Sequence, residues 1–168
     1  AGNRYAIAGM ALAFVVTLAD PAVRDYAWVA GGVLIGAPIG LVVARRVQMT
    51  AMPQLVAALH SFVGLAAVLV ALGTFLNHSA EGTATTVLML ELFLGSFIGA
   101  ITFTGSVVAF GKLQGLIGGA PLRFAGQHWL NLGIALAMLA VGTHFFLTGS
   151  LLSFGVMTAL ALILGVLL

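Results

Sequence analysis

The chain has 168 residues, 62% hydrophobic and 6% charged, with a formal net charge of +2. A soluble domain carries about 25% charged residues, so this composition cannot build a water-compatible surface and excludes a free-standing soluble globule. The absence of cysteine excludes disulfides and cysteine-ligated metals within these residues, and no basic block points to nucleic acid.

With a mean hydropathy of +1.22, the chain reads as a membrane domain made of helix-length apolar runs. A barrel would need alternating segments of about 10 residues instead. The sequence opens on Ala1 and stops inside an apolar run at Leu168, so residues 1–168 are expected to be one transmembrane domain cut from a longer protein. A spanning helix needs about 20 mostly apolar residues, and six candidates follow in order. The first covers residues 5–19 and can begin before Tyr5; it ends at "DPAVRD", a turn around Pro21. The second covers 26–44 and ends at "RR". The third covers 53–76, with Pro53 suited to a first helical position, and "NHSAEG" follows. The fourth covers 85–110. The glycine-rich segment 111–127, "GKLQGLIGGAPLRFAGQ", reads as a loop. The fifth covers 128–147, and after "TGS" the sixth covers 151–168. The expected fold is an all-α polytopic bundle.

Six spans place successive loops on alternate sides. One side collects Arg4, Arg45, Arg46, Lys112 and Arg123; the other holds Arg24 with Asp20, Asp25 and Glu81. Cations gather on the cytoplasmic side of membrane proteins, so the N-terminus and the two longer loops are expected to face the cytoplasm, or a mitochondrial matrix. Gly32, Gly36 and Gly40 on the second span, and Gly95 and Gly99 on the fourth, have the spacing that lets helix backbones approach in lipid; packing is their expected role. Pro38 is expected to bend the second helix. No internal repeat is visible, which disfavours inverted-repeat transporters. "GKLQG" lacks the strand–loop–helix context of a phosphate loop.

The polar residues inside the spans carry the functional argument. His60 interrupts "QLVAALHSFVGL" seven residues past Pro53, about 10 Å into the helix. Ionisable groups at that depth are costly and face a bundle interior or a water-filled cavity, and histidine titrates nearest physiological pH. His60 is therefore a candidate proton-binding site; the alternative is a neutral ring bonded to a backbone carbonyl of another helix. On the fourth span, Thr102, Thr104 and Ser106 add hydroxyls. Ser106 lies within about one turn of the depth of His60, where the two side chains could share a water; the alternative is back-bonding to the carbonyl four residues earlier. Glu91 reads either as the outer mouth of a proton path or as an interfacial carboxyl. His78 and His144 read as interfacial, His128 as part of the loop, and Asn131 as a further polar candidate. No nucleophile–base pair, carboxylate pair or metal-ligand spacing is present, so any bond-making chemistry must belong to another domain or subunit.

"ARRVQMTAMPQLVAALHSFVGLAAVLV" (44–70) and "ELFLGSFIGAITFTGSVVAFGKLQG" (91–115) closely resemble the membrane domain of the β subunit of proton-translocating NAD(P)⁺ transhydrogenases, and the resemblance runs from about "IAGMALAF" (7–14) onward. It implies an enzyme that couples hydride transfer between NADH and NADP⁺ to proton movement across a bacterial plasma membrane or mitochondrial inner membrane. It also implies that His60 is the intramembrane histidine central to translocation and that Ser106 lies on the same path; Glu91, Asn131 and Thr102 are secondary candidates from their place in the spans alone. The loop "RRVQMTAMPQ", with Arg45, Arg46, Gln48 and Thr50, would face the NADP(H)-binding domain. NAD(H) and NADP(H) would bind in soluble domains, leaving this stretch without a nucleotide site. The implied partners are lipid, the membrane helices of the α subunit, the two soluble domains and a second protomer. The family's β subunit continues with further spans and then its NADP(H)-binding domain. The family also has acidic residues where this chain has Gln48, Ala51 and Gln54, so roles for those carboxylates do not carry over. Two rival readings stay open. In one, a secondary transporter uses His60 and Glu91 as its site, which predicts broken helices around a midplane cavity. In the other, the polar residues of a structural membrane subunit only hold helices together.

Overall fold

The computed structural model describes all residues except 1, 22, 24, 84, 121 and 122, and only the backbone of residues 80 and 81. Arg24, the side chain of Glu81 and residues 121 and 122 of the expected loop therefore lie outside the described residues. Among those described there are six α-helices and no strand: α1 (Gly2–Ala19), α2 (Tyr26–Arg46), α3 (Met52–Glu81), α4 (Thr86–Leu113), α5 (Gln127–Thr148) and α6 (Leu151–Leu167). Five are long and apolar enough to cross a membrane. The 17 residues of α6 sit at the short end of the spanning range. The helices divide into two compact units, Ala1–Val47 and Gln48–Leu168.

In the first unit, Asp25 caps α2 by accepting a hydrogen bond from the Ala27 N–H at 3.0 Å, which satisfies an orphan donor of the first turn. The Tyr26 hydroxyl donates to the Leu18 carbonyl at 3.0 Å and ties the start of α2 to the end of α1. The helix continues past Pro38, with Arg45 and Arg46 in its last turn, where cations complement the carbonyl end of the helix dipole.

The second unit begins with a 3-10 turn, Met49–Ala51, that leads into α3 with Pro53 in its first turn. α3 runs five residues past the expected Leu76. Its polar tail "NHSAE" stays helical, with His78 Nδ1 donating to the Thr74 carbonyl at 3.0 Å. The helix stops at Gly82, whose φ of +67° is open to glycine at little cost. Thr85 caps α4 by accepting from the Leu88 N–H at 3.2 Å.

α4 lies at the centre, with α3 on one flank and α6 on another, and α5 packs on α6. Ser96 pairs with Thr158 and Thr104 with the Leu162 carbonyl, so α4 and α6 run parallel; α3 and α5 run the other way. The α3–α4 contact is backbone on backbone. A Cβ on Gly64 would stand 2.5 Å from the Phe103 nitrogen and 2.7 Å from the Gly99 oxygen, and one on Gly99 would stand 2.8 Å from the Gly64 oxygen. Gly165 on α6 is closed in the same way by the Ile101 carbonyl at 2.7 Å and by Thr104 Oγ1. Toward the other end, Phe75, Phe145 and Phe154 bring α3, α5 and α6 together, with ring centroids 5.4–5.6 Å apart. Offset and tilted ring pairs of this kind add to plain area burial. The starts of α3 and α5 and the ends of α4 and α6 share one end of the unit. Gln54 Nε2 donates to the Leu113 carbonyl there at 3.1 Å, and Gln127 Nε2 to the Leu167 carbonyl at 2.9 Å. Lys112 and Arg123 lie at this basic end.

Candidate functional site

His60 is exposed, and its Nδ1 lies 2.9 Å from the carbonyl of Val56, four residues earlier on the same helix. A carbonyl only accepts, so Nδ1 carries the proton in this arrangement. In the neutral ring, Nε2 then keeps its lone pair and points away from its own helix as the atom able to take a proton. The partner is thus a carbonyl of α3 itself, not of another helix.

The register set by Gly64 against Gly99 and Phe103 locates the other polar groups. Going one turn down α3 to His60 corresponds to going one turn up α4, to the level of Ser106. At about 100° per residue, His60 and Thr74 of α3 fall on the same side of the α3–α4 seam as Glu91, Thr102 and Ser106 of α4. A cavity of about 300 Å³ opens on that side, lined by Ala67, Val70, Thr74, Glu91 and Gly95 among others. Thr74 and Glu91 share its level. Between them and the His60–Ser106 level lie 14 or 15 residues on each helix, about 21 Å, which is most of a hydrocarbon core of about 30 Å. Thr102 sits one turn inward from Ser106.

The two flanks of α4 differ chemically. On the flank facing α6 the hydroxyls are bonded. Thr158 donates to the Phe154 carbonyl at 2.8 Å and accepts from Ser96 at 2.7 Å. Thr104 shares its proton between the Ala100 and Leu162 carbonyls, at 3.1 and 2.8 Å. On the seam side, the side chains of Thr74, Glu91, Thr102 and Ser106 make no hydrogen bond among the described residues. Back-bonding thus accounts for Thr104 and leaves Thr102 and Ser106 with free hydroxyls.

Asn131 stands apart from this seam. It shares a face of α5 with Met138 and Phe145, and its Oδ1 is buried without a partner among the described residues. Arg45 and Arg46 are exposed at the end of α2, and Gln48 and Thr50 are exposed around the 3-10 turn. His128 is exposed in the first turn of α5. His144 Nδ1 pairs with the Ser153 hydroxyl at 2.7 Å, a contact between α5 and α6 that no spacing in the sequence announces. Gln54, noted in the sequence only as a missing carboxylate, also accepts from Gln114 Nε2 at 3.3 Å and so fastens α3 to the end of α4. Among the described residues α3 and α4 are unbroken, unlike the discontinuous helices of a secondary transporter site, and no group of three or more metal-ligating side chains occurs.

Comparison with known proteins agrees with this architecture. The family model for the NAD(P) transhydrogenase beta subunit matches residues 1–168. The chain is 50% identical over 172 residues to the NAD(P) transhydrogenase subunit beta of Rhodospirillum rubrum, and a second sequence of that subunit from a strain of the same species matches equally. The match covers 99% of this chain and 37% of each relative's length, so the chain spans little more than a third of the relatives it matches. Its apolar helices and this match make it part of a multi-pass membrane protein. The chain belongs to the NAD(P) transhydrogenase beta subunit family.

Proposed function

We propose that residues 1–168 are the proton-carrying membrane part of an NAD(P)⁺ transhydrogenase, with His60 as the group that binds and releases the proton. The observation that carries this reading is the segregation of polar groups around α4. Hydroxyls toward α6 are satisfied by protein, while those along the α3–α4 seam are left free over about 21 Å beside an imidazole whose Nε2 is open. A purely structural set of polar residues would be bonded on both flanks, since unpaired polar groups in a low-dielectric interior are costly.

In this reading Nε2 of His60 accepts a proton through water on the seam and gives it up toward the opposite side. Ser106 and Thr102, each able to donate and accept, hold the water beside the ring, and Glu91 with Thr74 forms the far mouth. Further spans of the subunit enclose the exposed side of the seam. The nucleotides supply hydride chemistry in the soluble domains, and this stretch binds neither. Coupling requires that the nucleotide state in the docked NADP(H) domain alter the access of His60, and that protonation alter nucleotide affinity by the same free energy. In this reading Arg45, Arg46, Gln48 and Thr50 belong to the loop that faces that domain. The basic end faces the cytoplasm of a bacterium or a mitochondrial matrix, following the charge rule, and the assembled enzyme contains α-subunit helices and a second protomer.

The test is His60→Ala in the full enzyme reconstituted in vesicles. Loss of a proton-transfer group is expected to lower both reverse transhydrogenation and proton uptake about 100-fold or more. If both rates stay at the wild-type level, His60 is not the carrier.

A further inference from the structure

We propose that the basic end of the Gln48–Leu168 unit holds one anionic phospholipid, its phosphate between Lys112 and Arg123 and its acyl chain along Val108 and Val166. A cavity of about 510 Å³ opens there, lined by Val108, Lys112, Ile117, Arg123 and Val166 among others. It lies between the last turns of α4 and α6, at the edge of the membrane-spanning region. Its wall is fixed by backbone hydrogen bonds: the N–H groups of Leu116 and Ile117 both donate to the Gly111 carbonyl, at 2.9 and 3.3 Å. This folds the loop back so that Ile117 lies against Gly111. An adjoining cavity of about 380 Å³ also contains Arg123 and runs past Gln127 and His128, which gives the polar part of a headgroup room to extend.

Among the described residues the charges at this end lack protein partners. Residues 48–168 contain two acidic residues, Glu81 and Glu91, both toward the opposite end; Glu91 is 21 residues from Lys112 along α4, about 32 Å. Among the described residues neither Lys112 nor Arg123 makes an ion pair. The dipole at the end of α4 accounts for a lysine in its last turn but not for Arg123, which lies in the loop. Two cations beside an apolar slot at the membrane boundary are complementary to a ligand that is anionic at one end and aliphatic at the other. Basic pockets between spanning helices bind anionic lipid headgroups in this way. A free phosphate would leave the valine and isoleucine walls unused.

The full enzyme, purified in mild detergent, is examined by native mass spectrometry after addition of phosphatidylglycerol, phosphatidylcholine or inorganic phosphate. Wild type is expected to retain phosphatidylglycerol in preference to phosphatidylcholine and to show no saturable binding of inorganic phosphate. A basic residue near an anionic lipid contributes about fivefold in affinity, so K112Q/R123Q should bind phosphatidylglycerol about 30-fold more weakly, whereas K112R/R123K should keep it. A photoreactive amino acid at position 117 should capture phospholipid. The proposal fails if wild type does not distinguish the two lipids, if inorganic phosphate binds as well as phosphatidylglycerol, if K112Q/R123Q binds undiminished, or if position 117 captures a protein chain instead. If K112Q/R123Q does not fold, the wild-type comparison and the crosslink decide alone.

Discussion

A histidine whose Nδ1 is tied to its own helix is a ring with one working nitrogen. At His60 the bond to the Val56 carbonyl fixes both the tautomer and the direction of Nε2, as outer partners do for working histidines elsewhere. The expected signature is measurable: in enzyme labelled with ¹⁵N-histidine, with His60→Gln used to assign the signal, the neutral ring should show Nδ1 protonated and Nε2 bare. The opposite tautomer would mean that the Val56 bond is absent and that Nε2 is not the accepting atom. The position of His60 along α3 was legible in the sequence, because it follows from the count of residues past Pro53. Its bonding partner was not, because the choice between a carbonyl of α3 and one of a neighbour is a matter of rotamer. Nor was its exposure. A helix apolar on every side offers no polar stripe from which to read a direction, so the seam became visible only when Gly64 was seen against Gly99 and Phe103.

At the scale of helices, ends were easier to read than faces. Hydropathy located all six helices; in the structure several termini are held by caps that hydropathy does not read, Asp25 before α2, Thr85 before α4 and Gly149 after α5. The overrun of α3 was hidden because "NHSAE" has loop composition, yet a helix end at the membrane surface can stay wound where its polar side chains bond back, as His78 does. Spacing was an incomplete guide to close packing. Gly99 belongs to a four-residue pair and does pack, but Gly32, Gly36 and Gly40 meet no close neighbour within residues 1–47, whereas the isolated Gly64, Gly142 and Gly165 are hemmed in. The neighbouring atoms decide what substitution should cost. At Gly64 a methyl group would meet the backbone of Phe103 and Gly99, which cannot move without separating α3 from α4. At Gly142 it would meet only the ring of Phe93, a side chain rather than backbone. Gly64→Ala should therefore destabilise by about 1–3 kcal/mol, the usual range for forced overpacking, and Gly142→Ala by less, as read from denaturant unfolding of the full enzyme in detergent. Equal losses would show that the α3–α4 contact is more compliant than its geometry implies.

For the molecule as a whole, orientation rests on charge and on helix direction, two independent sources. Within residues 48–168 the packing puts the start of α3, the end of α4 and the loop before α5 at one end, and Gly82 and the α5–α6 turn at the other. On the proposed reading the charge rule would make the first end cytoplasmic, through Lys112 and Arg123. Since these 168 residues contain no cysteine, single cysteines placed here report without competition from this stretch. Cysteines at exposed Gly118 and Gln48 should react with a membrane-impermeant maleimide only in inverted vesicles, and cysteines at Ser79 and Ser150 only in intact cells. The two pairs must label from opposite sides whatever the charge rule says, because helix direction alone requires it. A reversal of both pairs would therefore overturn the cytoplasmic assignment and leave the fold intact. Labelling of Gly118 and Ser150 from the same side would instead mean that α5 does not cross the membrane, and the parallel α4–α6 pairing would go with it, while the α3–α4 register set by Gly64 would stand.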